Sequence, residues 1–200
     1  MGRTSDARER LLKAVAELIW TGSYGSTTID QICEKADVRK GSFYHFFESK
    51  SDVACAAILD EWETFRGKLD PIFSPTRPPL DRLRDYCRSA YEEQVELKNR
   101  FGHVLGCPLA SLGNEVSTLE SGLRKVIQDI MRQAQRYLET TIRDAQAAGL
   151  IAACDPAVRA RMLYAYHEGL LSQARIQDDL DILLEMEQGT LDILRMIQHP

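Results

Sequence analysis

The sequence predicts an all-α protein with roughly nine helices, and three observations support this class. Apolar residues recur at three- and four-residue spacing along almost the whole chain. No stretch shows the sustained apolar–polar alternation of a strand, and no Asn-Gly or Asp-Gly turn joins two β-branched runs. Glycine and proline interrupt the helical pattern at intervals that suit helix ends.

The N-terminal helices carry their own start and stop signals. Gly22 ends the first helix. Thr28 begins the second, and Gln31 three residues later completes a capping box. Asp37 begins a turn that leads into a short third helix. The predicted helices cover about residues 5–21, 28–36, 40–47, 49–69, 80–101, 107–115, 118–148, 156–177 and 179–197.

The segment DPIFSPTRPPLD, residues 70–81, separates the N-terminal helices from the rest of the chain. It contains four prolines, so it cannot form a continuous helix. We predict an N-terminal three-helix domain over residues 1–50 and a larger helical domain over residues 51–200.

Composition predicts a soluble globular protein, since 44% of the residues are hydrophobic and 28% are charged. The N-terminus is polar, and no apolar run approaches the roughly 20 residues of a membrane span. The five cysteines are widely spaced, without a zinc-binding pattern. No phosphate-binding loop, GxSxG or HExxH motif indicates an enzyme. We therefore expect a cytoplasmic, non-enzymatic protein without cofactor, metal site or membrane partner.

Charge is unevenly distributed along the chain. The formal net charge is −5, yet residues 1–50 contain eight Lys or Arg and seven Asp or Glu. Any surface that binds DNA is therefore expected in the first part of the chain, because net charge affects which partners a protein attracts.

The stretch TTIDQICEKADVRKGSFYHFF, residues 27–47, has the layout of a helix-turn-helix. In that motif the second helix enters the major groove of DNA with its N-terminal residues against the base edges. The phenylalanines would hold this helix to its support, and the polar residues would face outward. An ordinary helical hairpin with solvated polar residues is the alternative. The candidate DNA-binding residues are Thr28, Lys40, Gly41, Ser42, Tyr44, His45 and Lys50.

The sequence GSYGSTTIDQICEKADVRKGSFYHFFESKSDV, residues 22–53, resembles the TetR/AcrR-type transcriptional regulators. Two positions depart from the family pattern: Cys33 replaces a usual alanine, and Asp37 replaces a usual turn glycine. The resemblance implies an all-α homodimer that binds double-stranded DNA operators. It also implies an effector pocket in the C-terminal domain, and most often a repressor that the effector releases from DNA.

The segment GHVLGCPLASLGNEVS, residues 102–117, resembles a branch of these regulators in which it borders the effector cavity. Pro108 suits a first helical turn and would place Cys107 at the helix N-terminus, which lowers the pKa of a thiol. An electrophile-sensing cysteine and a buried structural cysteine both remain open. The candidate pocket residues, each with a core role as the alternative, are Tyr91, His103, Cys107, Tyr137, Tyr164 and His167.

The resemblance implies that the last two helices pair across a two-fold axis to form the dimer. The apolar residues of these helices, more than one buried face requires, are compatible with that interface. A helical protein-interaction module without DNA binding would also explain this apolar tail. It would leave the polar residues of the third helix unexplained. The candidate interface residues are Met162, Tyr166, Leu170, Leu184, Leu191 and Leu194.

Overall fold

The computed structural model describes residues 3–195 of the chain, and the side chains of residues 6–194. This part consists of nine α-helices and one short 3-10 helix, so the predicted all-α class is confirmed. The helices are α1 (Arg3–Thr21), α2 (Ile29–Ala36), α3 (Lys40–Phe46), α4 (Lys50–Ile72), α5 (Pro79–Phe101), α6 (Pro108–Val116), α7 (Ser121–Ala147), α8 (Pro156–Gln177), the 3-10 helix Asp181–Glu185 and α9 (Met186–Arg195).

Most helix boundaries lie within about three residues of the prediction, and two differences have a clear physical reason. Helix α4 continues to Ile72 with Pro71 inside its last turn, where the missing N–H removes only one backbone hydrogen bond. Helix α8 ends at Asp178, whose φ of 52° is left-handed. A 3-10 helix then precedes α9, so the predicted helix over 179–197 is two elements. Residues 196 and 197 of that prediction lie outside the described residues.

The first compact unit contains Met1–Phe65 together with Pro108–Ile130. Helix α1 packs against α2, α3 and α6 in this unit. Leu11, Ile32 and Phe43 are fully buried in its core. Helix α6 thus belongs with the N-terminal helices, and the units are not two consecutive segments of the chain. The predicted division into 1–50 and 51–200 stays a prediction.

The second compact unit contains Arg66–Cys107 together with Met131–Pro200. Its core combines residues of α5, α8 and α9, including Cys87, Leu170 and Met186. Arg82 is buried and donates to the Pro75 and Arg77 carbonyls and to the Asp144 carboxylate. This guanidinium satisfies carbonyls of the proline-containing connection, which has no regular hydrogen bonding of its own. No helix in the described part of the chain is long and apolar enough to span a membrane.

Candidate DNA-binding surface and effector-binding residues

Helix α3 has only seven residues, and Arg39 at its start makes no side-chain capping hydrogen bond. An isolated helix of this length is not stable in water, so tertiary packing must hold it. Phe43 is 0% exposed and Phe47 is 4% exposed, with their ring centroids 5.9 Å apart. These two aromatic side chains therefore keep α3 on the first unit.

The polar residues of α3 lie on its open side. Lys40, Gly41, Ser42, Tyr44 and His45 are all exposed. Tyr44 keeps 53% of its surface accessible, while the edge of its ring packs on Phe43. A Cβ atom added at Gly41 would meet no atom within 4 Å, so nothing of the first unit covers this backbone. The structure brings five of the predicted residues together on one accessible surface.

Thr28 begins α2 as predicted, and the capping box with Gln31 is confirmed. The Thr28 hydroxyl oxygen accepts from the Gln31 N–H at 3.2 Å, and the Gln31 side-chain oxygen accepts from the Thr28 N–H at 2.8 Å. Asp37 ends α2 with a left-handed φ of 51°. Aspartate tolerates this conformation better than most residues, which explains why it can replace the glycine of the family pattern. Thr28 is exposed at the positive end of the α2 dipole.

The two predicted lysines have partners within the protein. The Lys40 ammonium lies 2.7 Å from the Asp30 carboxylate, and this hydrogen bond raises the pKa of Lys40. The Lys50 ammonium donates to the Tyr24 and Thr27 carbonyls at 2.8 and 2.9 Å. It also lies 4.1 Å from the centroid of the Tyr24 ring. Lys50 therefore holds the loop before α2 in position. That its remaining N–H contacts a DNA phosphate stays a prediction.

A carboxylate that the sequence pattern did not identify holds the same loop. Glu115, near the end of α6, accepts from the Tyr24 N–H at 2.9 Å and from the Gly25 N–H at 2.5 Å. A Cβ atom at Gly25 would lie 2.9 Å from the Glu115 carboxylate, so a side chain there would force the carboxylate to shift. The Tyr24 hydroxyl donates to Glu120, and burial together with this charge raises the pKa of Tyr24 to about 12.

In the second unit, Tyr164 and His167 are 6% and 1% exposed on α8. Cys107 is half-buried, and its thiol donates to the carboxyl group of Glu168. The Tyr164 hydroxyl donates to the same carboxyl group. Burial raises the pKa of Glu168, and these two hydrogen bonds oppose that change. Three predicted pocket residues thus lie around Glu168.

Sequence reasoning missed both Glu168 and Tyr86. The ring centroid of Tyr86 lies 5.3 Å from that of His167, and burial raises the pKa of Tyr86. Tyr86, Cys107 and Glu168 nevertheless retain part of their accessible surface, so a water-sized molecule can touch them. The only available signal was the helical spacing of Tyr164 and Glu168, which are one turn apart on α8.

The other three predicted pocket residues have different surroundings. His103 is exposed, and its Nδ1 lies 3.1 Å from the Asp178 carboxylate. A backbone hydrogen bond from Val104 and this side-chain contact lower the pKa of Asp178 to about 2. Tyr91 packs against the apolar core of the second unit. The Tyr137 hydroxyl donates to the Asp70 carboxylate, and its ring packs on Phe73.

The six predicted interface residues fall into three groups by their exposure in the protomer. Met162 and Leu184 are 44% and 61% exposed, whereas Leu170 and Leu194 are 6% and 2% exposed. Leu170 and Leu194 are therefore core residues of their own chain. The sequence pattern had placed them at the interface with a partner. The remaining two, Tyr166 and Leu191, are half-buried.

The buried His167 predicts a pH dependence of stability. Burial lowers the pKa of His167 from 6.5 to about 4, so between these values the unfolded chain binds a proton that the folded chain does not. Folding is therefore weakened as pH falls, by about 2 kcal/mol from about pH 7.5 to about pH 5. Urea unfolding of His167→Asn should lack this loss, whereas the exposed His103→Asn should retain it. Parallel pH curves for wild type and His167→Asn would contradict the assignment.

Comparison with known proteins gives matches over most of the chain. Residues 11–57 match the family model of the bacterial regulatory proteins, tetR family. Residues 79–188 match the model of the tetracyclin repressor-like C-terminal domain. A solved structure of the regulatory protein TetR from Rhodobacter sphaeroides is 31% identical, with a TM-score of 0.83, covering 92% of this chain and 96% of that one. The reduced form of NemR from E. coli, at 23% identity, has the same fold, with a TM-score of 0.82 over 97% of this chain and 100% of that one.

Two curated relatives are named as regulators. The transcriptional repressor NemR of Escherichia coli is 24% identical, over 89% of this chain and 88% of its own length. The transcriptional regulator AcuR of Cereibacter sphaeroides is 32% identical, over 86% of this chain and 77% of its own length. Together with the matches to both family models, this similarity shows that the chain belongs to the TetR family of transcriptional regulators.

Proposed function

We propose that this chain is a homodimeric repressor that binds an operator through α3 and leaves it when a small molecule binds the second unit. TetR regulators bind DNA operators and small-molecule effectors and act as dimers. The observation that carries the proposal is the exposed polar surface of α3, which the buried Phe43 holds in place. That NemR is named a repressor supports the direction of regulation.

In the proposed complex, α3 lies in the major groove and the start of α2 meets the phosphate backbone. Tyr44 and His45 are exposed enough to reach base edges or phosphates, and Ser42 can do the same near the start of α3. Lys40 would exchange its ion pair with Asp30 for a phosphate. Because that ion pair is exposed, it contributes little to stability and is easily exchanged.

The proposed dimer seam is a stripe of apolar and small residues on the outer side of α8. Their spacing of four, three, four, three and four residues puts them on one face of the helix. A Cβ atom added at Gly169 would meet no atom of the protomer within 4 Å, so a partner helix can approach closely there. The stripe consists of Val158, Met162, Ala165, Gly169, Ser172 and Ile176.

The DNA prediction separates phosphate contacts from base contacts. Lys40→Ala should weaken binding to the gene's own upstream region and to random DNA alike, and should lower the salt slope by about one unit. Tyr44→Ala should weaken operator binding more than random binding, by about 1–3 kcal/mol. Lys35→Ala is the matched control, since Lys35 is a lysine of α2 that pairs with Glu17 of α1. Gel-shift titrations at several salt concentrations measure these effects, and unchanged binding by both α3 variants would refute the assignment.

The dimer prediction uses the exposed stripe. Gly169→Arg and Met162→Asp put charge or bulk into the seam without entering the protomer core, so each should produce a folded monomer. Leu150→Asp, at a residue that is 49% exposed elsewhere, should remain dimeric. Sedimentation velocity at micromolar concentration gives the result. A wild-type monomer, or variants that stay dimeric, would rule out this seam.

An electrophilic effector would be sensed at Cys107, because the Glu168 carboxylate can accept the thiol proton as sulfur bonds to the electrophile. Burial raises the pKa of Cys87 to about 11 and also raises those of Cys33 and Cys55. Limiting N-ethylmaleimide should therefore label Cys107 first, as read by mass spectrometry. Operator release by the reagent should be lost in Cys107→Ser. Faster labelling of Cys154, or unchanged release by the serine variant, would remove the electrophile mechanism.

A further inference from the structure

Two adjacent residues of α8 present buried polar atoms without a hydrogen-bond partner. These atoms are Nδ1 of His167 and Oε2 of Glu168. Leaving a buried polar group unsatisfied is unfavourable, and native proteins satisfy most such groups. Whether each atom is a hydrogen-bond donor or an acceptor determines which kind of ligand group would satisfy it.

The hydrogen bonds around Thr190 determine the tautomer of His167. The Thr190 hydroxyl donates its single hydrogen to the Met186 carbonyl at 2.7 Å. The contact of 2.7 Å between the Thr190 oxygen and His167 Nε2 therefore requires the proton on Nε2. Burial lowers the pKa of His167 to about 4, so the ring carries no second proton at neutral pH. Its Nδ1 is consequently an acceptor.

Glu168 also presents an acceptor. The Cys107 thiol and the Tyr164 hydroxyl both donate to its carboxyl group, so neither contact needs the carboxyl group to carry a proton. The unpartnered Oε2 is left with lone pairs and no donor from the protein. The rings of Tyr86 and Tyr164 supply apolar surface beside the two acceptors, and part of the Tyr86 surface is accessible.

We propose that the effector is a small apolar molecule with a hydrogen-bond-donating head, a hydroxyl or an amino group, that Glu168 and His167 bind. This inference rests on the proposed function, in which the second unit binds the effector. An ionised carboxylate or phosphate head has only hydrogen-bond acceptors. His167 Nδ1 and Glu168 Oε2 are also acceptors, so they disfavour the binding of such a head. The apolar part of the ligand packs on the tyrosine rings.

The test compares three probes of equal chain length that differ only in the head: 1-hexanol, hexylamine and hexanoate. Calorimetric titration of the full chain should show the alcohol and the amine binding at least about tenfold tighter than hexanoate, as one hydrogen bond to an acceptor of this kind predicts. Hexanoate that binds as tightly as the other two, or no binding of either donor probe at millimolar concentration, would overturn the inference.

Glu168→Gln gives a change that a purely structural role would not produce. Because Cys107 and Tyr164 donate to one oxygen, the glutamine amide nitrogen takes the place of Oε2 and turns that acceptor into a donor. The variant should lose about tenfold in hexylamine affinity and gain affinity for hexanoate. Glu93→Gln is the matched control, since Glu93 pairs with Lys68 on α4. An unchanged probe order in Glu168→Gln would contradict the proposal.

Gel shifts with the operator keep the two proposals distinguishable. Wild type that never binds the operator would refute the proposed function, whatever the probe order. Wild type that binds the operator but prefers hexanoate would refute only the effector class. If Glu168→Gln does not fold, the wild-type probe order still decides between the two kinds of head.

Discussion

The packing of Phe43 and Phe47 is the interaction on which the DNA-binding surface depends. Helix α3 is too short to persist alone and lacks a side-chain cap, so its position comes from aromatic burial. Because one side of this short helix is buried, its polar residues face solvent on the other side. Helix α3 thus provides both an attachment to the core, through Phe43, and the exposed polar surface that is proposed to bind DNA.

The loop before α2 is held by two charged side chains in addition to the burial of Tyr24. Lys50 donates to two carbonyls of this loop, and Glu115 accepts from two of its amides. Loop backbone groups need partners when they leave regular structure, and an ammonium and a carboxylate supply strong ones. These contacts position the start of α2, where Thr28 lies. Lys50 and Glu115, which make them, are far from Thr28 in the sequence.

Helix α8 is packed on one side and exposed to solvent on the other. Its inner side carries Tyr164, His167 and Glu168, whose polar groups lie among apolar residues of the second unit. Its outer side carries a stripe of small and apolar residues that the protomer leaves exposed, including Met162. Polar groups among the buried residues of α8 suit the proposed ligand site, and apolar residues on its exposed side suit the proposed partner interface.

Local patterns determined the helices, the capping box of Thr28 and Gln31, the turn at Asp37 and the exposure of the polar residues of α3, because each depends on neighbours within a few positions. Only the tertiary structure decided the roles of Lys50, Glu115 and Glu168, since the loop partners of Lys50 and Glu115 lie 23 to 91 residues away and Glu168 also meets Cys107 from a different part of the chain. It also placed Leu170 and Leu194 inside the protomer. Helical periodicity shows that a face is apolar, but burial against the same chain and burial against a partner leave the same pattern in the sequence.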